Sequence, residues 1–264
     1  MKRLHLFSSF VLVSALLLLT SLASAEIKLV PVDYTEGGTS LQGYLAYDDA
    51  VTSPRPGILI APEWWGLTDY PQARAKQLAE LGYVAFAVDM YGKGLTTDDP
   101  KQAEAWMTPF LKDRSKARSR MQAAYDTLKK QPQVDGAKIA AIGYCFGGAC
   151  ALELARAGAD LSAVVAFHGN LTVDQKAAGE LKPKILICTG ADDAFVPADQ
   201  VIAFIEEMKE AKADYQINVY ANAVHAFTNP KADEHHIPNI AYNAAADHRS
   251  FEAMTALFKE CWGK

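Results

Sequence analysis

From residue 57 almost to the end of the chain, short apolar runs of strand length alternate with amphipathic stretches of helical period. Gly57–Ala61, Tyr83–Val88, Lys138–Tyr144, Leu161–Phe167, Pro183–Cys188 and Gln216–Tyr220 read as strands, because each is a brief apolar run bounded by turn residues. Helices fall between them. Pro71–Leu81 opens on proline and is followed by Gly82. Arg114–Lys130 places Ala117, Met121, Ala124, Tyr125 and Leu128 on one face. Phe146–Ala157 ends at Gly158. Val201, Phe204, Ile205 and Met208 form the inner stripe of another helix, and Phe251, Met254, Phe258 and Cys261 that of a closing one. Ahead of these, Ile27–Asp33 and Leu41–Tyr47 flank Glu36-Gly37-Gly38-Thr39, a hairpin signal. Strands alternating with helices predict an α/β protein, with a mostly parallel central sheet covered by helices on both faces. In such sheets function gathers at the carboxyl ends of strands. That directs attention to the loops after Ala61, Val88, Tyr144, Phe167, Cys188 and Tyr220.

Residues 1–25 do not share this pattern. Lys2 and Arg3 precede the apolar run Phe10–Leu19, and Ala23-Ser24-Ala25 follows, the three parts of a secretory signal. Its removal would leave residues 26–264 as a single domain and place the protein in the periplasm or outside the cell. An uncleaved N-terminal anchor is the alternative. The net charge is −5, and the leader carries two of the basic residues, so the remainder is more acidic still. An acidic surface argues against nucleic acid and anionic membranes as partners. After cleavage no stable membrane insertion is expected, and a monomer is the favoured state.

Gly143-Tyr144-Cys145-Phe146-Gly147-Gly148 places a cysteine between a strand and a helix in the pattern Gly-x-nucleophile-x-Gly. The nucleophile of such a turn stands on a tight backbone bend, where side chains two positions either side would collide. Cys145 also falls at a helix N-terminus, which favours the thiolate. A buried structural cysteine in a glycine-rich turn is the competing reading. After the strand ending at Cys188, Asp192 and Asp193 are candidate acids to orient a histidine. Asp193 is favoured, standing four residues before Pro197, and Asp192 is assigned to the turn. After the last strand comes His225, in the right place to take a proton from the thiol. Cys145, Asp193 and His225 follow the chain order nucleophile, acid, histidine. For the oxyanion, the N–H of Phe146 and that of Trp64, in Pro62-Glu63-Trp64-Trp65-Gly66, are the expected donors. Glu63 is expected near the sulfur, where a carboxylate opposes thiolate formation.

The four cysteines do not suggest a disulfide framework. Cys145 and Cys150 would diverge along one helix, Cys188 lies in a buried-strand pattern, and Cys261 has no evident mate. His168 is expected to line the pocket at most from behind. His235, His236 and His248 lack a convergent third ligand, so no metal site is read from them.

Taken together, Ala61–Gly66, Val88-Asp89-Met90-Tyr91-Gly92, the Cys145 turn, Gly190–Pro197 and His225-Ala226-Phe227 resemble the dienelactone hydrolase (carboxymethylenebutenolidase) family over nearly the whole chain after the leader. The resemblance implies the α/β-hydrolase fold and hydrolysis of a small-molecule ester or lactone through a Cys145–His225–Asp193 triad and an acyl-thioester. It further implies that Glu63 contacts the thiol and gates its ionisation, and that no metal or organic cofactor is needed. Two departures bear on the substrate. The family's best-known members carry a substrate-clamping arginine where this chain has Asn229. A second is expected after Asp89-Met90-Tyr91, where this chain offers only Lys93 and Lys101. A lysine does not replace a bidentate guanidinium, which weighs against dienelactone itself. A non-catalytic ligand-binding protein and a thiol redox protein are the rival readings.

Overall fold

In a computed structural model of the protein, residues 26–172 and 179–263 are described. The proposed leader, residues 1–25, lies outside them. β1 (Ile27–Glu36) and β2 (Thr39–Asp48) form the expected hairpin. Gly37 and Gly38 both take positive φ at its turn, as a two-residue hairpin loop requires. Then follow β3 (Arg55–Ala61), α1 (Asp69–Glu80), β4 (Val84–Ala87), α2 (Pro100–Lys112), α3 (Arg114–Lys129), β5 (Val134–Tyr144), α4 (Phe146–Arg156), β6 (Ala163–Phe167), β7 (Lys184–Gly190), α5 (Ala198–Glu210), β8 (Tyr215–Tyr220) and α6 (Ala244–Trp262).

The eight strands form one sheet in the order β1-β2-β4-β3-β5-β6-β7-β8. β1 and β2 run antiparallel to their neighbours, and β4, β3 and β5 to β8 run parallel. This is the α/β-hydrolase architecture. The register sets Ala61 beside Gly143, Gly143 beside Ala166, Ala166 beside Ile187 and Ile187 beside Ile217. With Ile60 beside Ala87 of β4, the carboxyl ends of six strands therefore share one rim, and every loop singled out in the sequence leaves from it.

Each face buries its own core. On one, Phe110 of α2, Met121 of α3, Leu152 of α4 and Phe204 of α5 pack on the sheet. On the other, Leu78 of α1 and Met254 and Phe258 of α6 do so. Side chains of this size contribute ~1.5–3 kcal/mol each on full burial. α4 lies over the sheet centre and is also tied by charge. Arg156 donates to both carboxylate oxygens of Glu207 in α5, at 2.8 and 2.7 Å, and to Glu153 at 3.0 Å. Among the described residues, no helix is long and apolar enough to cross a membrane.

Two features depart from expectation. α1 begins at Asp69, so Pro71 is its third residue and not its first. α2 was not anticipated at all, because Pro109 inside it reads as a helix breaker. It forms because Asp99 caps it, accepting the Lys101 N–H at 3.0 Å, and Pro100 sits at its first turn. Pro109 falls in its last turn, where the helix is about to end.

Candidate active site

β5 ends at Tyr144 and α4 begins at Phe146, so Cys145 alone makes the bend. Its backbone lies at φ 54° and ψ −119°, a conformation that costs a residue bearing a Cβ ~1–3 kcal/mol and persists only where the surroundings impose it. The glycines impose it by letting segments touch. A Cβ at Gly143 would come within 2.0 Å of the Gly147 carbonyl oxygen, and one at Gly147 within 2.2 Å of the Ala61 carbonyl oxygen. The turn is thereby pressed against the loop that follows β3. Phe146 is the first residue of α4, so its N–H has no helical acceptor.

His168 completes the restraint. The Cys145 N–H points at the Phe167 carbonyl, at 3.0 Å, and at Nδ1 of His168, at 3.1 Å. Accepting on Nδ1 puts the ring proton on Nε2, which donates to the Thr228 hydroxyl at 2.8 Å. Tyr70 donates to the same hydroxyl at 2.8 Å. Arg74 donates to the Thr228 carbonyl at 2.8 Å and pairs with Asp247. His168 is fully buried and stands behind the cavity, against the Cys145 backbone, as the sequence reading allowed at most. Burial first, then the positive charges of His225 and Arg74, hold its pKa well below the ordinary histidine value, so the ring is neutral.

His225 stands after β8. Its N–H donates to the Asn239 carbonyl and its carbonyl accepts from the Ala241 N–H, both at 3.1 Å. The histidine loop is thus tied to the segment that brings Ile237 and Ile240 over the site. Nδ1 of His225 meets Asp193 Oδ2 at 2.9 Å and Oδ1 at 3.2 Å. Asp193 is buried and also accepts the Phe195 N–H at 2.9 Å, whereas Asp192 is exposed in the turn. With Nδ1 engaged by the carboxylate, the imidazole stands with the Cys145 side chain on the wall of one cavity. Burial disfavours charge on His225, but the Cys145 sulfur and the Asp193 carboxylate outweigh it and push its pKa up to about 10. Thiol, imidazole and carboxyl thus converge above one rim of the sheet.

Glu63 is buried, at 4% exposure. Its Oε2 accepts from the Asn229 side chain at 2.7 Å, so the residue in place of an expected arginine is its partner. Burial raises the Glu63 pKa to about 7, against the lowering effects of Asn229, His225 and Arg74. A neutral amide compensates a buried carboxylate far less than a guanidinium would. Lys93 pairs with Asp33 at 3.0 Å, and Lys101 lines a separate hollow along α2 and α3. Neither reaches the site.

Cys145 and His225 open into a cavity of about 320 Å³ walled by Trp64, Met107, Leu111, Phe195, Ile237 and Ile240, with Asn170 among its lining residues. Phe195 is 49% exposed and lies 4.9 Å, ring to ring, from His225. Tyr91 donates to the Trp64 carbonyl at 3.1 Å and fixes the loop bearing it. The sequence reading missed Met107 and Leu111 because it missed α2. Apolar spacing along Ala103, Met107, Phe110 and Leu111 was the available signal. A larger cavity, about 460 Å³, lies beside Trp65, Tyr70 and Asn229, but neither Cys145 nor His225 lines it. His235 stacks on Trp65 there, with ring centroids 4.0 Å apart.

Residues 41–262 match the profile of the dienelactone hydrolase family. The chain is 30% identical to a carboxymethylenebutenolidase of Pseudomonas putida, over 72% of this chain and 85% of that one. It is likewise 30% identical to protein usf of Aquifex pyrophilus, over 87% of this chain and 97% of that protein. Its structure superposes, with a TM-score of 0.87, on that of a dienelactone hydrolase-like promiscuous phosphotriesterase from metagenomic libraries. The two are 44% identical and the match covers 90% of this chain and 99% of the other. The chain belongs to the dienelactone hydrolase family and is a hydrolase of esters or lactones.

Proposed function

We propose that this enzyme cleaves carboxylic esters or lactones through a Cys145–His225–Asp193 triad and an acyl-thioester intermediate. The observation that carries the reading is His225, held by Asp193 at 2.9 Å through Nδ1 and lining the same cavity as the Cys145 side chain. His225 takes the thiol proton and Asp193 stabilises the imidazolium. The sulfur adds to the carbonyl carbon, and the N–H groups of Phe146 and Trp64 receive the oxyanion. His225 then protonates the departing alkoxide, leaving the acyl group on sulfur. Water, deprotonated by His225, adds to the thioester, and the acid leaves as the thiol is reprotonated. Glu63, bonded to Asn229, tunes the charge at the imidazole of His225.

A redox role needs a resolving thiol. Cys150 is buried, and burial lifts its pKa far above the ordinary thiol value, while that of Cys188 is pushed up to about 12. Neither has thiolate to offer. A pocket for binding without turnover would not require the strained backbone at Cys145. The 44% identical phosphotriesterase favours a secondary activity on neutral phosphotriesters by the same attacking sulfur. We further propose that residues 1–25 direct export and are removed, leaving a monomer outside the cytoplasm.

The test is turnover of a panel of lactones, aryl esters, thioesters and one aryl phosphotriester by the wild type and by Cys145→Ala. At least a thousandfold loss in the variant, with its circular dichroism unchanged, supports the reading. Comparable turnover by the two proteins refutes it.

A further inference from the structure

We propose that the acyl chain of the physiological substrate is uncharged and apolar, an inference that rests on the hydrolytic reading above. The acyl carbon becomes bonded to Cys145 as the alcohol departs in the first half-reaction, and it is released from sulfur only when water attacks in the second. The acyl chain is therefore the part that must stay seated in the cavity beside the sulfur. That cavity, about 320 Å³, is near the lower end for small-molecule sites, and its described lining contains neither lysine nor arginine. Its walls come from Met107 and Leu111 on one side and Ile237 and Ile240 on the other. Among the described lining residues, Asn170 is the one amide, beside Cys145 and His225.

Among the described residues, the cations around the site have partners of their own. Arg74 is paired with Asp247 and bonded to the Thr228 carbonyl beneath the site. Arg114 donates to Thr172, and Lys93 is paired with Asp33. Where the resemblance places an arginine, Asn229 is used up on Glu63. The two buried carboxyls nearby, Asp193 and Glu63, are held by His225 and Asn229. A carboxylate on the acyl chain would lose its hydration against hydrocarbon and gain no cation from the described lining. An alkyl chain of the same length would lose only unfavourable water contact.

The experiment compares phenyl hexanoate with monophenyl adipate, which differ only in a methyl against a carboxylate at the far end of the acyl chain. With wild type, kcat/KM is expected to favour the hexanoate by at least tenfold. Leu111→Arg, which sets a cation in the cavity wall, is expected to narrow that ratio at least threefold, and added salt to reverse the narrowing. Binding of both esters to Cys145→Ala, followed by tryptophan fluorescence, reads the cavity without chemistry and is expected to show the same order. Equal or better use of the adipate by wild type, or its equal or tighter binding to Cys145→Ala, overturns the inference. If wild type turns over neither ester while Cys145→Ala still prefers the hexanoate, the hydrolytic reading fails and the inference about the cavity stands.

Discussion

Glu63 should make the protein less stable as pH rises, and removing its charge should abolish that loss. In the folded protein its pKa is raised to about 7 from an ordinary 4.5. Between those values the native state holds a proton that the unfolded chain has released. Stability therefore falls as pH climbs through this window and levels off above it. Each pH unit separating the two values corresponds to ~1.36 kcal/mol. The part falling between pH 5 and pH 8 comes to about 2.5 kcal/mol. His225, also raised, pulls in the same direction with rising pH, so the wild-type profile alone does not isolate Glu63. Glu63→Gln does, because every other group is common to the two proteins. A glutamine oxygen can still accept from Asn229. Urea unfolding of both proteins at half-unit steps from pH 5 to pH 8 gives the difference directly. The variant is expected to gain about 2.5 kcal/mol relative to wild type across that range, with most of the gain below pH 7.5. A stability difference that stays flat with pH would refute the burial argument and show Glu63 already ionised at pH 5.

Gly147→Ala is expected to cost at least ~3 kcal/mol or leave the protein insoluble, because its Cβ would meet the Ala61 carbonyl at 2.2 Å; thermal unfolding checks this. His168→Ala removes a partner of the Cys145 N–H and opens a buried hole, and is expected to cost ~2–4 kcal/mol and to lower kcat far more than it raises KM. His168→Gln, which can still accept that N–H, should recover part of kcat, and the acid limb of the pH–rate profile should be the same in both variants, since the ring is neutral in the wild type. Phe195→Ala, at the mouth of the cavity, should raise KM for phenyl esters severalfold and leave thermal stability within ~1 kcal/mol, because the ring is half exposed.

The parts of the site that a local motif encodes were legible in the sequence. The bend at Cys145 sets Gly143 and Gly147 at fixed offsets, so the chain displays it openly, although only Gly143 is needed against its own turn and Gly147 is needed against the Ala61 carbonyl. Asp193 and His225 each follow a strand directly, and the strand pattern points to them. The parallel run of strands follows from the same alternation. The cavity walls were not legible, because Met107, Leu111, Ile237 and Ile240 come from segments with no shared motif. They become neighbours only when α2 and the segment after the 3₁₀ turn Ala232–His235 fold over the rim. His168 was placed near the site, but its bond to the Cys145 backbone depends on its own left-handed φ of 40°, which a histidine gives no hint of. The pairing of Glu63 with Asn229 joins residues 166 positions apart, a contact only the tertiary structure supplies. The fully buried Arg156–Glu207 pair likewise occupies helix positions that composition alone assigns to solvent.

The central claim is that the sulfur of Cys145 carries the acyl group. Intact-mass and peptide mass spectrometry of protein quenched during turnover of phenyl hexanoate, on wild type and on Cys145→Ala, tests it directly. The account predicts a hexanoyl adduct confined to the peptide containing Cys145 in wild type and abolished by Cys145→Ala. An adduct on another residue, or undiminished ester turnover in Cys145→Ala, would contradict it.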